Sequence, residues 1–211
     1  RISANATFNK NNVDRVRGGI DLKEGSLGNG QVTTSTVVGE PIGSFWVYEV
    51  TGIFQNQAQI NSTPHVTGTL PGDFIYTDVD KNGSIDERDR IFVGSYQPKF
   101  YYGFSLGLNW KQFDFSADCY GNAGNKVFNG KKAVRFGNEN IEASRGDRWT
   151  PTNTNTDEYR ASNAIPVPST YFVESGSFLR INNITLGYTL PSSLTERAFM
   201  SRARIYIAAQ N

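Results

Sequence analysis

Apolar and polar residues alternate with a period of two along several stretches of this chain. Phe100, Tyr102, Phe104, Leu106, Leu108 and Trp110 are separated by Tyr101, Gly103, Ser105, Gly107 and Asn109, which puts one greasy and one small or polar face on a single strand. The pattern restarts at Phe113, with Phe115, Ala117 and Cys119 alternating with Asp114, Ser116, Asp118 and Tyr120. Lys111-Gln112 between them is long enough only for a tight hairpin. Ile2, Ala4, Ala6 and Phe8 alternate in the same way, as do Ile184, Leu186, Tyr188 and Leu190, and Ala203, Ile205, Ile207 and Ala209. Leu179 and Ile181 have the opposite phase to Ile184 and Leu186, so a bulge or strand end is predicted near Asn182.

Two environments produce such strands: a half-buried soluble sheet, and a membrane barrel with lipid outside and water inside. The stretches are longer than the roughly five or six residues usual in soluble sheets and near the ~9–11 that a tilted strand needs to cross a bilayer. Aromatics at strand ends (Phe100, Tyr102, Trp110, Tyr120, Tyr188) fit interfacial girdles. Composition alone leaves a sandwich and a barrel evenly matched. Connection lengths favour the barrel. Lys111-Gln112 and Pro191–Ser201 are short, whereas residues 10–98 and 121–177 are long, and a barrel has short turns on one side and long loops on the other. The shorter stretch from Pro191 contains a helical turn, with Ser193 expected as N-cap and Glu196 three residues on. The fold class expected is all-β: a transmembrane antiparallel barrel fragment with long extracellular loops. The strands are too few to close a barrel, whose minimum is about eight. With chain ends at Arg1 and Asn211 inside strand patterns, the sequence is expected to be a piece of something longer.

The 211 residues carry 21 Lys plus Arg against 20 Asp plus Glu, a formal charge of +1, which gives no electrostatic case for nucleic acid. One Cys excludes an internal disulfide framework and a Cys-based zinc site, and one His leaves little for a His-rich centre. No nucleophile elbow accompanies His65, no P-loop follows Gly121–Asn125, and no carboxylate pair stands out for glycoside hydrolysis. No enzyme is expected.

Within the first long stretch, Phe45, Trp46 and Tyr48 read either as packing residues or as a stacking platform. The sharpest chemical motif runs from Asp78 to Asp89. Asp78, Asp80 and Asn82 take positions 1, 3 and 5 of a twelve-residue calcium loop, and Gly83 takes the sharp-turn position 6. Ser84 offers its carbonyl at 7, Asp86 sits at 9, and Asp89 stands where a bidentate Glu is usual. Hard oxygens at alternate positions suit Ca2+, with Mg2+ as the alternative. The competing reading is an acidic turn without metal. No amphipathic helices flank the loop, so it reads as a structural staple rather than an EF-hand sensor.

Several of these stretches resemble the SusC/RagA family of TonB-linked outer-membrane proteins. The run Gly39-Glu40-Pro41-Ile42-Gly43-Ser44-Phe45 is one, followed by Gly52-Ile53-Phe54-Gln55 and Pro71-Gly72-Asp73-Phe74-Ile75-Tyr76-Thr77-Asp78. Pro98-Lys99-Phe100, Trp149-Thr150-Pro151, Glu174 to Ile181, Ile184 to Pro191 and Ala208 to Asn211 continue the series in order. The resemblance implies residues 1–211 as a C-terminal part of a barrel of about 22 strands, with the plug domain and TonB box outside this chain. It further implies TonB-driven import of oligosaccharides or peptides across the bacterial outer membrane. The implied partners are a SusD-like surface lipoprotein, the TonB complex and outer-membrane lipid. A soluble calcium-stapled β-sandwich, as an adhesin or carbohydrate-binding module, is the alternative.

Overall fold

The computed structural model describes residues 1–26, 32–134, 142–162 and 167–211. Along the described chain the strands are β1 (Ile2–Phe8), β2 (Leu22–Glu24), β3 (Thr34–Thr36), β4 (Ser44–Tyr48), β5 (Val50–Ile53), β6 (Phe74–Tyr76) and β7 (Arg90–Ser95). There follow β8 (Phe100–Trp110), β9 (Phe113–Ala123), β10 (Lys126–Phe128), β11 (Val173–Ser175), β12 (Phe178–Thr189) and β13 (Arg204–Gln210). The short helices are α1 (Gln57–Ser62), α2 (Gly130–Val134) and α3 (Ser192–Thr195). No helix among the described residues is long and apolar enough to cross a membrane. Two compact units form: Arg1–Lys10, Gln97–Asn125 and Gly176–Asn211 in one, Asn11–Tyr96 and Lys126–Ser175 in the other.

The first unit is a single antiparallel sheet in the order β1-β8-β9-β12-β13. Its register keeps the alternation in phase across all five strands. Ala4 lies opposite Phe104 and Phe104 opposite Cys119, while Ala117 lies opposite Ile184 and Ile184 opposite Ala209. Between Ile181 and Asn183 the pairing with β9 slips, and this bulge at Asn182 brings Leu179 and Ile181 onto the same face as Ile184 and Leu186. The apolar face is open: Trp110 is 67% exposed and Ile207 77%. Aromatic rings gather at both of its ends. Phe100 stacks on Phe8 and Tyr102 at one (centroids 4.5 and 5.3 Å), and Phe113 meets Trp110 and Tyr188 at the other (6.4 and 4.8 Å). Tyr120 is not part of either group. It pairs with Gly103 on the polar face, where it meets Phe178 and accepts a hydrogen bond from Arg180.

Glycines on the sheet make room for side chains that reach across a neighbouring strand. Arg204 of β13 donates through Nε to Asp114 of β9 (2.9 Å), passing over Gly187 of β12. A Cβ at Gly187 would run into both partners. On the opposite face the Tyr102 hydroxyl donates to the carbonyl of Phe178 (3.0 Å) across Gly121. In the connection from β12 to β13 the helical turn is present, but it starts two residues earlier than expected. Pro191 is the N-cap and makes no side-chain cap, so Ser193 lies inside α3. Proline's fixed φ suits a helix start without help from a hydroxyl.

The second unit carries a four-stranded sheet, β2-β3-β4-β7, and the pairs β5-β6 and β10-β11. Its core centres on Ile53, Phe74, Trp149 and Tyr159, with Val50, Tyr76 and Tyr171 packed against them. Phe54, Ile60 and Phe172 are also fully buried. Asn56 caps α1 by accepting from the Gln59 amide (2.9 Å). The two chain stretches of this unit are stitched together. The Trp149 indole donates to Gln55 Oε1 (2.9 Å), and Tyr48 N donates to Pro168 O (3.0 Å). Arg160 donates to Asp73 (2.7 Å) and its amide to Gly72 O (2.8 Å). Gly72 has φ +92°, and a Cβ there would strike the Trp149 ring.

Candidate functional site

The Asp78–Asp89 loop folds through its own short polar side chains, each accepting backbone N–H groups a few residues on. Asp78 accepts from Asn82 N (3.2 Å) and Gly83 N (2.8 Å), and Asn82 Oδ1 accepts from Ser84 N (2.8 Å). Gly83 has φ +84°, the left-handed conformation a sharp turn requires there. Asp89 is fully buried and anchors the loop base, its oxygens accepting from Val79 N (2.9 Å) and Asp86 N (2.7 Å). Asp86 returns the contact at the following 3-10 turn as half of a capping box.

These bonds bring Asp78, Asp80 and Asp89 together, each with a carboxylate oxygen within 4.8 Å of the others. Asn82 lies alongside, its amide nitrogen 2.9 Å from Asp80 Oδ2. Asp86 does not join them. Its carboxylate is held by Arg88, whose Nη2 donates at 2.6 Å and whose Nε donates at 3.1 Å. Those bonds lower the Asp86 carboxyl to about 2 and raise the Arg88 guanidinium above its ordinary range. Ser84 is exposed on the loop. Three carboxylates and an amide on a glycine turn have the donor chemistry of a hard divalent cation. Arg88 is the feature that motif spacing misses. It lies inside the loop but outside the ligand positions, and it also reaches Asp80 (3.4 Å).

The other flagged residues are structural. Phe45 and Tyr48 are buried, and Trp46 lies under Lys23 and Arg90, at 4.6 and 4.8 Å, so these rings are covered rather than free platforms. His65 is exposed, its Nδ1 2.8 Å from Thr63 O. Two polar clusters form with no sequence signal for the pairing: Asp73 with Arg160, which joins the two long stretches, and Glu158 with Arg145 (3.0 Å) and the Tyr171 hydroxyl (2.6 Å), all three within the second. Burial raises Tyr171, helped by the Glu158 carboxylate it donates to, and raises Tyr159 to about 12.

No family model matches the chain. Individual proteins do. TonB-dependent receptor P3 of Formosa agariphila is 32% identical over 98% of this chain and 21% of its own length. TonB-dependent receptor SusC of Bacteroides thetaiotaomicron is 24% identical over 100% of the chain and 20% of its own. Among solved structures, the RagAB peptide transporter matches with a TM-score of 0.71 at 25% identity, covering all of this chain and 23% of that one. The same importer in its open-open state matches with a TM-score of 0.67 at 27% identity. The chain spans about a fifth of the length of the curated relatives it matches. The five-stranded sheet is therefore a segment of a TonB-dependent transporter barrel. In sequence the chain is similar to TonB-dependent receptors, SusC among them, and in fold to a part of the RagAB transporter.

Proposed function

We propose that this chain works as part of an outer-membrane importer, driven by TonB and covered by a SusD-like lipoprotein, that takes up oligosaccharides or peptides. The observation that carries this reading is the open apolar face of the five-stranded sheet, with aromatic groups at both ends. From Phe100 to Trp110 the strand runs about 33 Å at ~3.3 Å per residue. A tilt of ~40° lowers that to ~25 Å, the height of the lipid-facing band of such barrels. A sandwich would cover this face with a second sheet, and Ile207 at 77% exposure argues against it. On the barrel reading, residues 10–98 and 121–177 lie on the extracellular side, where a lipoprotein lid and substrate meet the barrel. Membrane fractionation of the native protein tests this. A heat-modifiable outer-membrane species far larger than 23.4 kDa, co-purifying with a lipoprotein, is expected. A soluble species of the chain's own mass would leave the sandwich as the better account.

The Asp78–Asp89 loop is the proposed Ca2+ staple of the outer part. Asp78, Asp80, Asn82 and Asp89 would hold the ion, with the Ser84 carbonyl completing the set and Asp86 acting through water or not at all, since Arg88 holds it. The ion would fix the loop without taking part in transport chemistry. Chelation is expected to increase protease cleavage near residue 80 in the native protein, and Asp78→Ala with Asp80→Ala to reproduce that pattern without chelator. Identical cleavage with and without chelator would leave an acidic turn without metal.

A further inference from the structure

The connection from β12 to β13 shows three large apolar side chains to solvent: Leu194 at 53%, Met200 at 44% and Phe199 at 100%. Phe199 also stands at φ 56°, ψ 29°, left-handed backbone that side chains with a Cβ avoid and that a glycine would take at this helix end without strain. An aromatic held at a strained position and touching nothing of its own unit gains nothing inside the fold.

The turn is nevertheless well built. Leu190 N donates to Ala203 O (2.9 Å), Phe199 N to Glu196 O (3.1 Å) and Met200 N to Thr195 O (3.0 Å). Thr195 is buried and its hydroxyl donates to Ser192 O (3.2 Å). The apolar side chains are thus presented from a fixed scaffold. That scaffold leaves the sheet at the end where Trp110, Phe113 and Tyr188 cluster on the apolar face, with Lys111 Nζ 5.1 Å from the Trp110 ring. Arg197 and Arg202 are exposed, and Glu196 is the sole acid between Pro191 and Ala203. Apolar tips beside basic groups, continuous with a lipid-facing aromatic girdle, match the boundary between acyl chains and anionic headgroups.

We infer that this turn is a membrane-interface anchor. Leu194, Phe199 and Met200 enter the headgroup–acyl boundary of the periplasmic leaflet, the side on which barrels carry their short turns, and Arg197 and Lys111 meet phospholipid phosphates. The inference rests on the barrel reading above.

The test uses the complete receptor in vesicles of phosphatidylethanolamine and phosphatidylglycerol, with its cysteines, Cys119 included, replaced. Nitroxide labels are placed through Phe199→Cys, Ser193→Cys and Leu186→Cys, and their collisions with oxygen and with a water-soluble nickel chelate are compared. The oxygen-to-nickel ratio at position 199 is expected to be several-fold above that at 193 and to share its sign of preference with position 186 on the sheet. Preference for nickel at 199 would show water there, and exclusion of both reagents would show a protein cover. Either result overturns the anchor provided 186 reads as lipid. If 186 itself fails to read as lipid, the barrel reading falls, and the anchor with it.

Discussion

Gly187 leaves space for an ion pair that belongs to its neighbours. Arg204 and Asp114 sit on strands that are not adjacent, and they meet only because nothing rises from β12 between them. The pair ties β13 to β9 and so pins the register of the strand between. Gly187→Val should break the pair and crowd the polar face, costing about 1–3 kcal/mol by the usual scale for overpacking. The expected readout is a lower temperature for the heat-induced mobility shift of the barrel, with Gly187→Ala in between. The tyrosines of the second unit make a separate prediction. Burial, chiefly, holds Tyr159, Tyr171 and Tyr76 above the ordinary phenol value of 10.0, Tyr159 to about 12. The unfolded chain releases these protons near 10 and the folded one does not, so their contribution is intact below that pH and is lost above it. The second unit should therefore hold its stability up to about pH 10 and lose it progressively towards pH 12. The part of the phenolate absorbance owed to these three, isolated by their Phe variants, should rise together with the loss of near-ultraviolet dichroism rather than ahead of it.

Among the elements, β8 is the one whose sequence maps most directly onto its surroundings. Leu106 lies near its middle, opposite Ile2 and Ala117 on the apolar face. Leu106→Arg should cost about 2–4 kcal/mol at the bilayer midplane. Ser105→Arg, one residue away on the polar face, should cost far less. Comparable assembly of the two variants in outer-membrane fractions would contradict the assignment of faces. β12 shows what a single extra residue does. Without the bulge at Asn182, Ile181 and Leu179 would fall opposite Tyr120 and Asn122 on the polar face instead of opposite Cys119 and Gly121. The sequence points to this bulge because the phase of the apolar residues visibly reverses there. It misplaces the cap of α3, since Ser193 and Glu196 imitate a capping box while Pro191 already starts the helix.

At the scale of the whole molecule, what the sequence discloses follows the range of the interactions. The sheet is readable because alternation is local and each strand repeats it. The Asp78–Asp89 loop is readable because all its bonds close within one twelve-residue stretch. The exception inside it, Arg88 holding Asp86, is also local, yet ligand-position matching has no place for a cation between ligands. The second unit was least legible. Its core pairs Gln55 with Trp149 and Asp73 with Arg160, and neither partner carries a mark of the other. Gly72 and Trp149 stand out as motif residues, but that they touch is a property of the fold.

That shared core governs how the two stretches can be inherited. The hairpin of β8 and β9 separates the two stretches in the gene, so a crossover within it would join Gln55, Gly72 and Asp73 from one parent to Trp149 and Arg160 from another. Each half would arrive with the wrong counterpart for an indole bond, a buried contact at a glycine and an ion pair. Exchange between relatives should therefore preserve the two stretches as a matched set, while the hairpin between them, which answers to its strand neighbours and to the alternation alone, can be replaced without disturbing either.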